Sequence, residues 1–99
     1  MTVYAVGNIK IKNREEYNKY SDQFMGVFEK FKGKLLSADF DARAVQGEWD
    51  GDRLVLMEFP DKRAFLEWAT SEDYQAIAKH RDAGADVTVV LANALEGAD

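Results

Sequence analysis

The spacing of apolar and polar residues changes along the chain, and each spacing predicts one kind of element. Alternation of apolar and polar residues, or a concentration of β-branched residues, predicts β-strands. The four predicted strands are Val3 to Lys12, Leu35 to Phe40, Arg53 to Phe59 and Val87 to Ala94. The segment from Ala42 to Trp49 is either an extension of the second strand or one arm of a hairpin, and Asp50-Gly51 is a hairpin-turn signal.

Apolar residues that recur every three or four positions predict the first helix. This stripe consists of Tyr17, Tyr20, Phe24, Val27, Phe28 and Phe31. Asn13 and Glu16 have the spacing of a capping box at its start. Gly33 stands where a residue in the left-handed conformation would end the helix.

The second helical region is predicted in two pieces. Asp61 caps a piece that runs through Ala69, and Ser71 starts another that runs through about Arg81. Gly84 is expected to end the second piece, just before the last strand.

The predicted order β-α-β-β-α-β is that of the ferredoxin-like α+β fold with a four-stranded antiparallel sheet. A chain of 99 residues has the length of one domain, so residues 1–99 are predicted to form a single ferredoxin-like domain. Residues 95–99 are expected to be a frayed tail.

Both faces of this predicted sheet are apolar, although the helices can cover only one of them. In the third strand, Leu54 and Leu56 lie on one face, whereas Val55, Met57 and Phe59 lie on the other. An exposed apolar face usually marks an interface or a ligand site. We therefore expect a homodimer paired sheet to sheet, a dimeric α+β barrel; the alternative is a monomer with a partly apolar sheet.

Composition and charge exclude several kinds of site. The net charge of −5, with basic residues scattered among acidic ones, argues against a nucleic-acid partner. Because the chain has no cysteine, disulfides, thiolate metal sites and a cysteine nucleophile are excluded, and no metal or other cofactor is expected. We see neither a signal-peptide pattern nor an apolar run of membrane-spanning length, so we expect no membrane association and a cytoplasmic location.

Several segments together resemble one uncharacterised family, from about Val3 to Leu95. They are Tyr4-Ala5-Val6, Gly47-Glu48-Trp49, Arg53-Leu54-Val55-Leu56-Met57-Glu58-Phe59-Pro60, Ser71-Glu72-Asp73-Tyr74-Gln75 and Arg81. This family, catalogued as domain of unknown function 1330, is similar to the dimeric α+β barrel superfamily. The resemblance implies two ferredoxin-like sheets that close around a central cavity. The superfamily contains cofactor-free monooxygenases, lactone isomerases and proteins without an assigned reaction, so the resemblance gives no residue a catalytic role.

Polar residues within the apolar strands are candidates for chemistry, because burying them without partners is unfavourable. Glu58 and Asn8 fall on the face that we expect between the paired sheets, where Glu58 would be a general base and Asn8 would orient the substrate. Alternatively, Glu58 is a solvated residue at a strand end or pairs with Arg53 or Arg81. Asp39 either contacts the substrate or starts a turn.

Arg81 is the third catalytic candidate, since arginine can clamp a substrate carboxylate; otherwise it forms a structural ion pair. Tyr4, Tyr74 and Trp49 are candidate substrate contacts, although Tyr74 is also explained as a core aromatic and Trp49 as hairpin packing. His80, the one histidine, is either a further site residue or a charge near a helix C-terminus.

Three functions are compatible with this chain. The first is a cofactor-independent enzyme, of the proton-transfer, isomerase or monooxygenase type, that acts on a small apolar or aromatic substrate in the barrel cavity. The second is a non-catalytic small-molecule-binding or interaction module. RNA binding ranks last, because the third strand offers none of the aromatic and basic residues it needs beyond Arg53 and Phe59. The sequence leaves open whether the protein is an enzyme.

Overall fold

A computed structural model describes residues 1–95, which form a four-stranded antiparallel sheet with helices packed on it. The elements are β1 Val3–Ile11, α1 Arg14–Phe28, β2 Lys34–Asp39, β3 Arg53–Phe59, α2 Lys62–Ala69, α3 Glu72–Gly84 and β4 Ala85–Asn93. The strands lie in the order β2-β3-β1-β4. The predicted ferredoxin-like order is confirmed, and the second helical region is divided into α2 and α3. Apart from Leu95, the predicted frayed tail lies outside the described residues.

Each helix begins after a residue that caps it through its side chain. Asn13, Asp61 and Ser71 each accept a hydrogen bond from the backbone N–H three residues further on. These are the cap residues that the sequence predicts, and the Ser71 cap makes α3 a separate helix from α2. The predicted capping box is only half formed, because the backbone N–H of Asn13 donates to the carbonyl of Gly84 and the Glu16 carboxylate contacts Lys19 and His80. None of the helices within residues 1–95 has the length and apolar character needed to cross a membrane.

Gly33 does not have the role predicted for it. The first helix ends at Phe28, the next residue is right-handed, and Gly33 has no positive φ. Packing requires the glycine instead: a Cβ atom there would lie 2.6 Å from the ring of Phe28 and 2.5 Å from that of Phe59. The turn after α1 therefore runs directly against the core.

The link between β2 and β3 also differs from the prediction. Residues 40–52, called here the β2–β3 connection, contain no helix or strand, so Ala42 to Trp49 is neither a strand extension nor a hairpin arm. Asp50-Gly51 does not form a type I′ hairpin turn, because Gly51 lacks a positive φ. A Cβ atom on Gly51 would collide with the side chain of Asn8, so this close approach to β1 explains the glycine.

The core between the sheet and the helices is dominated by aromatic rings around Trp68 of α2, which is 3% exposed. Ring centroids 4.2 to 6.1 Å from that of Trp68 belong to Phe24, Phe28, Phe59, Phe65 and Tyr74. Each such pair contributes about 0.5–1.5 kcal/mol beyond the burial of its area. This cluster joins all three helices to the sheet.

The other side of the sheet, called here the open face, has no helix on it within the described residues. Its side chains come from alternate strand positions: Tyr4, Val6, Asn8, Leu54, Leu56, Glu58 and Val90. Val6 pairs with Leu56 on one side and with Val90 on the other, and Val90 is 56% exposed. The predicted division of the strand residues between two apolar faces is confirmed.

Candidate functional site

A cavity of about 170 Å³ lies between the helices and the sheet of the single chain. Its walls are mostly apolar and include Gly7, Ile9, Val55, Met57, Phe24 and Trp68. An apolar cavity of about 150 Å³ is enough to hold a benzene ring. The space therefore suits a small molecule built on one aromatic ring.

Gly7 of β1 leaves part of this space open. It lies on the buried side of the strand and has no positive φ, so its backbone does not require glycine. A Cβ atom there would meet Val55 at 3.7 Å, which is an ordinary contact. Because core-facing strand positions usually carry a side chain that fills the interior, this glycine increases the volume of the cavity.

Three side chains form a polar cluster in the cavity wall, called here the tyrosine cluster: Tyr20, Tyr74 and Arg81. The hydroxyl oxygens of Tyr20 and Tyr74 are 3.0 Å apart. Nη1 of Arg81 donates to the hydroxyl oxygen of Tyr74 at 2.9 Å. The Arg81 guanidinium is also paired with Asp82, at 3.0 Å.

The tyrosine cluster has one hydroxyl hydrogen more than it uses internally. Whichever tyrosine donates in the bond between Tyr20 and Tyr74, the other keeps its hydrogen, because Arg81 can only donate. Burial, reinforced by Tyr74, raises the pKa of Tyr20 well above its ordinary value, so this hydroxyl stays neutral. The cluster can therefore donate one hydrogen bond to an oxygen atom of a bound molecule.

Arg53, at the start of β3, is a second polar group in the cavity wall. Its Nη1 donates to the hydroxyl of Tyr17 at 2.9 Å and to that of Ser21 at 3.3 Å. Its guanidinium carbon lies 4.5 Å from the ring centroid of Phe40, within cation–π distance. None of the carboxylates in residues 1–95 forms an ion pair with Arg53.

The residues predicted from the sequence as site residues fall in different places. Arg81 and Tyr74 lie together in the cavity wall. Glu58, Asn8 and Tyr4 lie on the open face, with the sheet between them and this cavity. Tyr4 and Glu58 are direct neighbours across β1 and β3, whereas Asn8 is at the other end of the pair.

The remaining predicted residues lie outside the cavity wall and have local contacts. Asp39 accepts a hydrogen bond from the backbone N–H of Asp41 at 2.7 Å, as expected of a turn residue. Nδ1 of His80 lies 3.3 Å from a carboxylate oxygen of Glu16 on α1. Trp49 is half-buried in the β2–β3 connection.

Sequence reasoning did not assign four residues to this site: Gly7, Ser21, Tyr20 and Arg53. Arg53 could have been found, because it alternates in register with Val55 and Met57 on the face expected to meet the helices. A charged residue on a core face is unusual unless it is paired. Tyr20 was placed correctly on the buried stripe of α1, but the pattern gave no sign that its hydroxyl would meet Tyr74.

Residues 2–95 match the sequence profile of the family described as Domain of unknown function (DUF1330). The chain belongs to this family. The resemblance predicted from the separate segments is therefore confirmed over nearly the whole chain. A comparison with curated proteins found no match.

Solved structures similar to this DUF1330 chain share its fold at low sequence identity. RPA0582 from Rhodopseudomonas palustris, a protein of unknown function, is 21% identical with a TM-score of 0.79, covering 95% of this chain and 82% of that one. SnoaB from Streptomyces nogalater, a cofactor-independent oxygenase, is 14% identical with a TM-score of 0.71, covering 94% and 92%. A dimeric ferredoxin-like protein of unknown function from Jannaschia sp. CCS1 is 13% identical with a TM-score of 0.70, covering 95% and 100%. These likenesses establish the fold alone.

Proposed function

We propose that the protein binds a small aromatic molecule in the cavity between the helices and the sheet and donates a hydrogen bond to an oxygen atom of that molecule. The observation that carries this proposal is the unused hydroxyl hydrogen of the tyrosine cluster beside an apolar space of about 170 Å³. Apolar pockets with a few convergent polar groups are the usual form of small-molecule sites.

The chemistry supported by this arrangement is polarisation of the ligand. A hydrogen bond from a neutral phenol stabilises negative charge that develops on a carbonyl oxygen. The residues that line the cavity include neither a carboxylate nor a histidine, so the wall offers acids and no ordinary base. Ligand binding with polarisation is thus the primary function, and catalysis without a cofactor is its extension. The cofactor-independent activity of SnoaB, on a similar fold, supports that extension.

A pair of matched ligands tests the proposal. Acetophenone has an aromatic ring and a carbonyl oxygen, whereas ethylbenzene has a similar shape without an acceptor. We expect acetophenone to bind about threefold to tenfold more tightly, the net contribution of one hydrogen bond. NMR titration of the ¹⁵N-labelled protein measures both affinities and identifies the residues that respond. Equal affinities, or no binding of either compound, would contradict the proposal.

A double variant assigns this preference to the tyrosine cluster. Tyr20→Phe with Tyr74→Phe removes both hydroxyls together, so neither is left facing a lost partner, while Arg81 loses its acceptor on Tyr74 and keeps its ion pair with Asp82. It should bind the two compounds equally, while Tyr4→Phe on the open face should keep the wild-type preference. A double variant that still prefers acetophenone would remove the tyrosine cluster from the binding site.

We also propose that two chains pair through their open faces to form a homodimer. The apolar row of Val6 and Leu56, which are half-buried, and Val90, which is exposed, supports pairing, because contiguous apolar surface of this kind usually marks an interaction site. The dimeric state of the Jannaschia protein is consistent with it. Native mass spectrometry of the purified protein should give the mass of a dimer, and a monomer at micromolar concentration would contradict the pairing.

A second candidate site would be enclosed by that dimer. Glu58, Asn8 and Tyr4 lie on the open face, so pairing would enclose them between the two sheets. There Glu58 would act as a general base, as the sequence predicts. A Glu58→Gln variant that lost turnover while remaining dimeric would support this role, and one with unchanged turnover would eliminate it.

A further inference from the structure

Apart from the indole of Trp68, the polar side chains that line the cavity are hydroxyls, which both donate and accept hydrogen bonds, and cationic guanidiniums. They are Tyr17, Tyr20, Ser21, Arg53, Tyr74 and Arg81. The chain as a whole has 18 acidic and 13 basic residues, and yet no acidic residue lines this space. The charged residues of the cavity are therefore positive, whereas the protein as a whole has a negative net charge.

The two arginines of the cavity differ in how their charges are compensated. Arg81 forms an ion pair with Asp82 at 3.0 Å. Within residues 1–95, the groups that contact Arg53 are neutral: two hydroxyls and the rings of Phe40 and Tyr17. A partly buried guanidinium without a counter-ion is unfavourable, because hydroxyls and a ring replace only part of its hydration. Arg53 is thus the uncompensated charge of the site.

A second arginine, Arg14, which is exposed to solvent, stands close to Arg53. The guanidinium carbon of Arg14, the first residue of α1, lies 4.8 Å from the centroid of the same Phe40 ring. In the part of the chain that the structure describes, Arg14 has no ion pair either. Two like charges that share one ring repel each other, and an anion beside them would relieve that repulsion.

We infer that the ligand of this cavity carries an oxyanion, such as a carboxylate, that binds Arg53 and the Ser21 hydroxyl beside it. This inference rests on the proposed function, because it names the chemical class of the molecule that enters the same cavity. Guanidinium binds carboxylate with paired, charge-assisted hydrogen bonds, and the mostly apolar walls hold the ring of the ligand. The ligand class is thus a small aromatic acid.

A matched pair of compounds tests the charge. 4-Methylbenzoate and 4-methylbenzamide have nearly the same shape, but only the first is an anion at pH 7. We expect the benzoate to bind at least about tenfold more tightly, since hydrogen bonds to charged groups are the stronger kind. Added NaCl should reduce this difference. Isothermal titration calorimetry measures both dissociation constants in the wild-type protein.

The variant Arg53→Gln should remove the preference for the benzoate. We expect it to weaken the binding of the benzoate about tenfold and to leave the binding of the benzamide nearly unchanged. Arg63→Gln, which removes the same charge from an exposed position on α2, should keep it. If Arg53→Gln does not fold, as judged by circular dichroism, Ser21→Ala provides the second variant and should weaken the benzoate selectively.

The possible results separate the two proposals. If the neutral benzamide binds as tightly as the benzoate, the oxyanion inference is overturned and the cavity remains a small-molecule site. If neither compound binds, and acetophenone does not bind either, both proposals are contradicted. A preference for benzoate that persists in both Arg53→Gln and Ser21→Ala would show that the anion binds elsewhere.

Discussion

The two faces of the sheet have similar apolar residues but opposite solvent exposure. On the helix face, Val3 and Met57 are at most 4% exposed, whereas Val90 on the open face is 56% exposed. The difference lies in what covers each face: helices of the same chain lie on one side, whereas within residues 1–95 the other side has no helix and meets the end of the β2–β3 connection at Asn8. One face is therefore completed by folding, and the other is available for association.

The polar groups of the two faces differ in kind as well. The cavity on the helix side is lined by hydroxyls and guanidiniums and by no carboxylate, while the open face carries the carboxylate of Glu58 and the amide of Asn8. The amide of Asn8 donates to Asp50 at 3.3 Å, and Lys10 lies 3.5 Å from the same carboxylate. The single sheet thus separates an electropositive interior from a mixed, partly acidic surface.

The largest expected effect tests whether packing on the helix face provides most of the free energy of unfolding. Trp68→Ala should lower the free energy of unfolding by about 3–5 kcal/mol, because it opens a cavity in the middle of the aromatic core. Leu56→Ala on the open face should cost about 1 kcal/mol or less under conditions where the protein is monomeric. Urea denaturation measures both. Equal losses would mean that the open face is packed within the chain.

The next effect tests whether association belongs to the open face. Leu56→Lys places a charge in the middle of the proposed interface, where it would be desolvated without a partner, so we expect the dissociation constant of the dimer to rise roughly a hundredfold. Sedimentation equilibrium measures this constant. Gln23→Lys, on the exposed side of α1, adds the same charge and should leave the dimer intact. Similar dimers in both variants would place the interface elsewhere.

Filling the cavity should separate ligand binding from association. Gly7→Val adds a branched side chain to the cavity wall where the backbone tolerates it, so it should abolish acetophenone binding and leave the dimer mass unchanged. Gly26→Ala is the control, since a Cβ atom there would have no atom within 4 Å apart from its chain neighbours and the backbone of its own helix. It should keep ligand binding and stabilise α1 by up to about 1 kcal/mol. If Gly7→Val still bound acetophenone, the binding site would lie outside this cavity.

The smallest effect concerns pH and a contact between α1 and α3. A hydrogen bond from Lys19, and then one with His80, lowers the pKa of Glu16 below its ordinary value of 4.5. The ionised Glu16 carboxylate therefore stabilises the folded state. This contribution is fully present above the ordinary pKa of the carboxyl and is lost as the pH falls through its lower pKa in the folded state. Glu16→Gln should therefore flatten the stability profile below pH 4.5, measured by thermal unfolding. The control Glu15→Gln removes a carboxylate without such partners in residues 1–95 and should not change the slope of stability against pH. Identical pH profiles for Glu16→Gln and the wild type would argue against the contact.

The features that could be predicted from the sequence are those encoded by local patterns. The caps at Asn13, Asp61 and Ser71 depend on a few neighbouring residues, and strand alternation assigns Leu56 and Met57 to opposite faces. Such signals need no knowledge of distant contacts.

The features that could not be predicted depend on residues that are distant in sequence. Gly33 and Gly51 were assigned local turn conformations, yet each is glycine because a side chain from another element occupies the space. The cavity results from a missing side chain at Gly7 and from the distance of the helices above the sheet, which no periodicity records. The tyrosine cluster likewise joins Tyr20 and Tyr74, 54 positions apart in the chain.

The β2–β3 connection reaches both sides of the molecule. Phe40, at its start, lies against Arg53 at the cavity, while Gly51, near its end, lies against Asn8 at the open face. A segment without helix or strand tolerates changes of length and composition better than the sheet does. Related proteins could therefore acquire new ligand preferences, or new interface chemistry, by altering this one stretch while the β-sheet scaffold is inherited unchanged.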